Sequence, residues 1–382
     1  MRLSRLCAVL AIAATAACSS TPDAREPAEL TDFDASKRFK EVWDYSLGDG
    51  QGGAYQRIAP AVDGDDIAIA SADGKVALLD KKTGKRRWKE SYDLAISGGV
   101  GLDDQRLFIG TADGELVALN RSNGDIAWRA TVKGEVLGAP QSNGRIAVLQ
   151  TYSGQLSGFE ADTGKHLWTY TAQVPRLTLR GTSTPLIVRD TVMFGLANGR
   201  LVGMDIESGS VRWEQRIAVP QGSTEIERLV DVDGRLLSME GGAVVVATGY
   251  QGQVVAVDVA TGRMLWAKDT SSYVGAASAL GYIYVVDAEG GVSAIDASGQ
   301  GASWTQTVLA RRELTEPAAI GGGIAVGDLE GYLHLLSQVD GSLQARTRVD
   351  SDGLRAPMAV SGKLLYVYSN DGELVAYKIQ DR

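Results

Sequence analysis

The residue types best suited to nucleophilic or metal chemistry are few in this sequence, and they are poorly placed for it. The two cysteines, Cys7 and Cys18, lie within the first 18 residues, so the rest of the chain has no thiol for a disulfide, a metal or a nucleophile. The two histidines, His166 and His334, are far apart, and a zinc site built on them would have to recruit carboxylates only. The sequence therefore predicts no enzymatic activity, no catalytic residue, no metal site and no cofactor.

Cys18 is nevertheless distinctive, because it ends a pattern typical of secretion signals. Residues 1–5 are short and basic, residues 6–14 are apolar, and the small residues Ala16 and Ala17 directly precede the cysteine. The apolar stretch is shorter than the roughly 20 residues that a membrane-spanning helix needs. Ordinary signal cleavage beside an incidental cysteine is one interpretation, and a lipoprotein signal is the other.

We predict the lipoprotein signal, with a signal peptide over 1–17 and acylation of Cys18 by chains such as palmitate. Residues 18–36 are rich in Ser, Thr, Pro, Ala and charge, and are predicted to be a flexible tether. The residue after the cysteine is Ser19 and not Asp, which by resemblance to bacterial sorting rules favours the outer membrane, on its periplasmic face.

The charge balance excludes one class of partner. The chain has 38 Lys and Arg against 47 Asp and Glu, and removal of the signal would take away Arg2 and Arg5, which leaves a net charge of −11. A sequence-independent grip on nucleic acid needs a basic face, which this balance argues against. We therefore expect no nucleic-acid partner.

The elements that position the remaining residues follow from an internal repeat. Two apolar strands flank a turn that ends in glycine, a second glycine turn follows, and a tryptophan comes shortly after it. The first turn recurs with a period of about 42 residues at Gly74, Gly114, Gly154, Gly199, Gly252, Gly290, Gly331 and Gly372. The tryptophans of the repeat are Trp43, Trp88, Trp128, Trp168, Trp213, Trp266 and Trp304, and Ala345 takes their place in the seventh copy.

This period, with about three tight turns in each unit, predicts an all-β fold, an eight-bladed β-propeller of four-stranded antiparallel blades over residues 37–382. The eighth copy stops before its outer strand, and 39–47, which carries Trp43, can supply it. We therefore expect the N-terminal strand to close the ring within the last blade. A tryptophan at a fixed distance from a turn in each repeat indicates a structural role and not a ligand cage.

The repeat is broken at two neighbouring connections, which are the best candidates for a functional site. The first is 173–181, with Leu177, Leu179 and Arg180, and the second is 221–233, with Asp231 and Asp233. Both should emerge on the face that carries the first turns and form one patch. The alternative interpretation makes the leucines core residues and the charges solvated ones.

The glycine and tryptophan repeats resemble the blades of quinoprotein propellers. With the lipoprotein signal, the chain resembles more narrowly the BamB family of outer-membrane assembly lipoproteins, most specifically in 177–181, 222–233 and 327–334. The resemblance implies a non-catalytic scaffold of the BAM complex, which inserts β-barrel proteins into the outer membrane. It also implies docking on a POTRA domain of BamA, through contact residues that correspond to Leu177, Leu179, Arg180, Asp231 and Asp233.

The resemblance adds the other BAM subunits as partners and raises unfolded outer-membrane proteins as a further one, although the sequence leaves open whether clients are contacted directly. Two alternatives remain. A quinoprotein dehydrogenase would need a calcium-bound quinone and usually adjacent cysteines, which this chain lacks. A generic periplasmic ligand-binding propeller is the other.

Overall fold

The computed structural model describes residues 26–53, 56–175, 177–179, 181 and 183–382. The predicted signal peptide, the predicted acylation site Cys18 and Arg180 lie outside the described residues. The described residues form eight four-stranded antiparallel sheets, which confirms the predicted propeller. In this part of the chain, no helix has both the length and the apolar character needed to cross a bilayer.

The strands of each blade follow one another from the innermost strand outward. Blade 1 has β2 to β5, at Ala61–Asp63, Asp66–Ala70, Lys75–Asp80 and Arg86–Ser91. Blade 2 has β6 to β9, at Ile96–Leu102, Arg106–Thr111, Glu115–Asn120 and Ile126–Thr131. Blade 3 has β10 to β13, at Gln141–Ser142, Ile146–Gln150, Gln155–Glu160 and His166–Thr171. Blade 4 has β14 to β17, at Leu186–Val188, Thr191–Leu196, Arg200–Asp205 and Val211–Arg216.

The second half of the ring has the same order. Blade 5 has β18 to β21, at Leu237–Met239, Val244–Thr248, Gln253–Asp258 and Met264–Asp269, with a short turn at Glu240–Gly242 after β18. Blade 6 has β22 to β25, at Ala277–Ala279, Tyr282–Val286, Val292–Asp296 and Ala302–Gln306. Blade 7 has β26 to β29, at Ala318–Ile320, Gly323–Gly327, Tyr332–Ser337 and Leu343–Arg348. Blade 8 has β30 to β32, at Ala359–Ser361, Leu364–Tyr368 and Glu373–Asp381, and its outer strand is β1, Lys37–Ser46.

Burial explains the composition of these strands. The two middle strands of each blade are covered on both faces by the neighbouring blades, so they read as continuous apolar runs, as in β3 and β4. The outer strands are largely exposed, and β5 buries only Trp88. The turns between second and third strands and the connections between blades lie on one face, which we call the top face. The other turns lie on the bottom face.

The seven tryptophans join consecutive blades. Each indole N–H donates to a backbone carbonyl of the next blade, at 2.8–3.2 Å: Trp43 to Lys81, Trp88 to Arg121, Trp128 to Ala161, Trp168 to Ile206, Trp213 to Val259, Trp266 to Ala297 and Trp304 to Gln338. The ring of each also lies on the glycine of that blade's second turn. At Gly209, for example, an added Cβ would stand 2.5 Å from the indole of Trp168, so no larger residue fits.

Ring closure is confirmed, because β1 pairs with β32 from Lys37 opposite Asp381 to Ser46 opposite Glu373. It also explains the exception at Ala345. The third and fourth strands of blade 8 come from opposite ends of the chain, so this blade has no second turn and no glycine on which a tryptophan from blade 7 could lie. Ala345 is instead buried among residues of blade 8, including Val375 and Tyr377.

The predicted flexible tether needs a correction at its C-terminal end. Residues 26–36 lie against the propeller, and the amide of Ala28, for example, donates to the carbonyl of Ala310 at 2.9 Å. The composition of this segment indicated a solvated linker, but its backbone carbonyls are bound by arginines of blade 7 and of the connection before it, which the composition of the segment itself does not reveal.

Candidate partner-binding surface

Two long connections stand side by side on the top face. The 3–4 connection, residues 172–185, links blade 3 to blade 4, and the 4–5 connection, residues 217–236, links blade 4 to blade 5. They contain the residues predicted from the broken repeat.

The 3–4 connection exposes its leucines. Leu177 is 43% exposed, and Leu179 is half-buried. Between them, the hydroxyl of Thr178 donates to the Tyr152 hydroxyl at 2.9 Å, which ties the connection to blade 3. The amide of Gly181 donates to the Leu179 carbonyl at 3.0 Å. The connection is therefore held in place while presenting apolar side chains.

The 4–5 connection contains a capped helical turn. The Glu227 carboxylate accepts from the amides of Ser223, at 2.8 Å, and Thr224, at 3.1 Å, while the Thr224 hydroxyl accepts from the Glu227 amide at 3.2 Å. This reciprocal arrangement is a capping box. The amide donors, Ser223 first, lower the pKa of Glu227. The turn presents Ile226, which is 70% exposed.

The two aspartates lie beneath the 3–4 connection and not on its surface. Asp231 is 1% exposed, and its carboxyl oxygen Oδ1 accepts from the Val232 amide at 2.8 Å. The Leu179 amide also bonds to the Asp231 carboxyl group. Asp233 is half-buried, and a Cβ added at Gly181 would stand 2.5 Å from its Oδ2, so only glycine allows this approach.

The two carboxyl groups lie close enough to shift each other's pKa. Burial raises the pKa of Asp231 strongly, and the neighbouring charge of Asp233 raises it further. Burial also raises the pKa of Asp233, against the opposing effect of Arg57. Among the described residues, the buried Oδ2 of Asp231 has no N–H or hydroxyl donor. The raised pKa favours the protonated form of Asp231, whose hydroxyl can donate to the Asp233 carboxylate.

Asp233 also borders a central cavity, whose other lining residues include Arg235 and Glu316. Across that cavity, Arg235 makes a two-pronged hydrogen bond to Oε1 of Glu316, at 2.9 and 2.6 Å. These groups pair with each other, so they explain how charge is tolerated at the centre of the ring. In the part of the chain that the structure describes, no group of three or more His, Cys, Asp or Glu is placed to hold a metal ion.

The structure thus brings together Leu179, Asp231 and Asp233 and leaves Leu177 exposed, while the assignment of Arg180 stays a prediction. The apolar contribution of Ile226 was missed by the sequence reasoning. The signal that could have revealed it is Thr224 followed three residues later by Glu227, which predicts a helical turn.

Fold and surface together define a class, the eight-bladed propellers with quinoprotein-like repeats and long irregular connections on the top face. The family model described as outer membrane protein assembly factor BamB matches residues 21–95, 72–306 and 289–382. An outer membrane protein assembly factor BamB from Pseudomonas aeruginosa is 45% identical over 97% of both chains, and one from Escherichia coli is 36% identical over 87% of this chain and 86% of its own. The chain belongs to the BamB family.

Solved structures agree with this assignment. The crystal structure of BamB from Moraxella catarrhalis matches with a TM-score of 0.81 and 29% identity, over 89% of this chain and 99% of that one. The quinohemoprotein alcohol dehydrogenase from Comamonas testosteroni matches with a TM-score of 0.70 but only 13% identity, over 89% of this chain and 76% of that one. The likeness to the dehydrogenase shows the fold alone.

Proposed function

We propose that this chain is a non-catalytic scaffold of the BAM complex, anchored by acylated Cys18 to the periplasmic face of the outer membrane, which docks on the POTRA region of BamA. The relatives named above are outer membrane protein assembly factors, and assembly of outer membrane proteins is the activity we assign to this chain. The other BAM subunits are its further partners.

The observation that carries the proposal is the surface made by the two long connections. Leu177 and Ile226 are exposed apolar residues on adjacent irregular loops, each of which is held by its own hydrogen bonds. Apolar side chains on a rigid support lose little conformational entropy when a partner covers them, which suits a docking surface. We assign the centre of the contact to Leu177 and Leu179, with Ile226 at its side.

The two aspartates have a supporting role in this proposal. Asp231 is too deeply buried to offer its carboxyl group to a partner, and it bonds to the backbone of Leu179. Asp233 lies against Gly181. The pair therefore positions the 3–4 connection from below, and Arg180 is left as the charged contact expected from the family resemblance.

The test compares two leucines on opposite faces. Leu177→Glu removes an apolar contact on the top face, whereas Leu280→Glu makes the same change at a leucine that is 71% exposed in a bottom-face turn. Both variants are measured for binding to the purified POTRA region of BamA, with circular dichroism as the control for folding.

We expect binding to be weakened only by the changes on the top face. Covering the 43% of Leu177 that is exposed contributes about 0.6–1.3 kcal/mol, so Leu177→Ala should weaken binding about 3- to 9-fold. Leu177→Glu should weaken it further, because a charge would be buried without a partner. Folded Leu177→Glu protein that binds as tightly as Leu280→Glu protein would remove this surface from the proposal.

A further inference from the structure

The segment before β1 lies along the rim of blades 6 and 7. Three arginines bind its backbone: Arg311 Nε donates to the carbonyl of Glu26 at 2.6 Å, Arg312 to that of Ala28 at 2.9 Å, and Arg346 to that of Thr31 at 3.0 Å. Arginine binding of carbonyls at three points along the segment fixes the path of an extended chain without requiring particular side chains on it.

Apolar contacts add to these hydrogen bonds. Leu30 packs against the buried cluster that contains Leu309 and Leu314. The guanidinium of Arg346 lies 5.1 Å from the ring centre of Phe33, a cation–π contact. Side chains of the segment therefore contribute to its attachment as well.

Arg312 is built into the propeller as the base of this attachment. Its side chain is 3% exposed, its Nε donates to the Asp328 carboxylate at 2.7 Å, and a terminal nitrogen pairs with Glu330. The other terminal nitrogen donates to the carbonyl of Ala28. The segment therefore supplies the partner for the one Arg312 nitrogen that Asp328 and Glu330 do not bind.

His334 links Arg346 to the Asp328 carboxylate that binds Arg312. Its Nε2 donates to the Asp328 carboxylate at 2.8 Å, and its Nδ1 accepts from Arg346 Nε at 3.3 Å. The ring is fully buried, and burial lowers its pKa, so it is neutral in this arrangement. The motif 327–334, singled out in the sequence, thus forms the floor under the N-terminal segment.

The segment crosses the outer edge of blade 7 from top to bottom. Ala28 bonds to the connection between blades 6 and 7 on the top face, while Lys37, where β1 begins, donates to Gly321 in a bottom-face turn at 2.7 Å. The upstream end of the segment therefore emerges on the top face, which also carries the 3–4 and 4–5 connections.

We propose that residues 26–33 form a latch that fixes the lipid anchor at the top of blades 6 and 7. The inference rests on the proposed acylation of Cys18. The eight residues from Cys18 to Glu26 can span at most about 26–29 Å, so the latch holds the top of blades 6 and 7 within about 30 Å of the bilayer. Release of residues 26–36 would add about 36–40 Å of reach.

The latch itself is tested by hydrogen exchange on the full mature chain. The Ala28 amide, which bonds to Ala310, should exchange at least about tenfold more slowly than an unprotected amide. Leu30→Asp combined with Phe33→Ala should abolish the protection, because the two changes remove the apolar contact of Leu30 and the cation–π contact of Phe33. Both changes lie in the segment, so the propeller itself is unaltered. Glu29→Lys, at an exposed side chain, is the matched control. Exchange of the Ala28 amide at the unprotected rate in the unaltered chain would overturn the latch.

The role of the latch is tested on the lipidated protein, with vesicles of phosphatidylethanolamine and phosphatidylglycerol that carry a headgroup quencher. A fluorophore at Ser351→Cys on the top face should be quenched at least about twofold more than one at Val339→Cys on the bottom face, and the double variant should abolish the difference. Equal quenching at both sites in otherwise unaltered protein would overturn the orientation. Protein that stays off the vesicles would overturn the anchor, whereas BamA binding, measured separately, tests the proposed function.

Discussion

Replacing Ala345 by tryptophan would restore the repeat and, on the structural argument, should destabilise the protein. In the other interfaces the indole lies on a glycine of the next blade and donates to a carbonyl there, as Trp304 does with Gln338. Blade 8 lacks the corresponding turn, because its outer strand is β1. Ala345 is 1% exposed, so an indole at this position would have to displace packed side chains such as Tyr377.

The size of the destabilisation expected for Ala345→Trp follows from the crowding around this position. Overpacking of a filled core costs about 1–3 kcal/mol or more. A propeller of about 345 residues has an unfolding entropy of about 0.7 kcal/mol/K, so Ala345→Trp should lower Tm by about 1.5–4 °C. Trp304→Ala, which removes an existing contact, should cost about 3–5 kcal/mol and lower Tm by about 4–7 °C.

Thermal unfolding followed by circular dichroism measures both changes. Ala302→Trp, at an exposed position of the outer strand β25, controls for the effect of an added tryptophan as such and should leave Tm nearly unchanged. If Ala345→Trp raised Tm, the alanine would be a chance departure from the repeat, and the explanation from ring closure would be wrong.

Two further predictions concern single residues. Because burial raises the pKa of Asp231 above its unfolded value near 3.8, the folded protein keeps a proton that the unfolded chain loses, so this group's contribution to stability falls as pH rises above about 4. Asp231→Asn keeps a neutral, hydrogen-bonding side chain. At pH 8, the free energy of unfolding of this variant in urea should therefore match or exceed that of the unaltered protein. A variant that is less stable than the unaltered protein at pH 8 would show that Asp231 is ionised. Leu280 has a φ of 53° beside Gly281 in a two-residue hairpin, where Asn-Gly is preferred, so Leu280→Asn should add about 1 kcal/mol to the free energy of unfolding. An unchanged or lower value in urea titration would contradict that assignment of strain.

Much of the fold could be predicted because the repeat is periodic. Turn glycines such as Gly74 and Gly114 recur at a spacing which, with strand-like segments and tight turns between them, is typical of a four-stranded blade. Trp43, without a blade of its own, indicated the closing strand. The candidate surface was located for the opposite reason, since its connections depart from that period. The sequence did not distinguish which residues there are exposed, because Leu177 and Asp231 carry no signal of burial in an irregular loop.

The sequence by itself determined the class of fold, the family and the place of the irregular connections, because these depend on spacing and residue type along the chain. Only the tertiary structure decided that Asp231 is buried beneath Leu179 and that Arg312 binds the carbonyl of Ala28, some 284 residues away. Such contacts join residues that are remote in sequence through backbone groups, which all residues share. A sequence pattern cannot record them, because a carbonyl or an amide has no residue type.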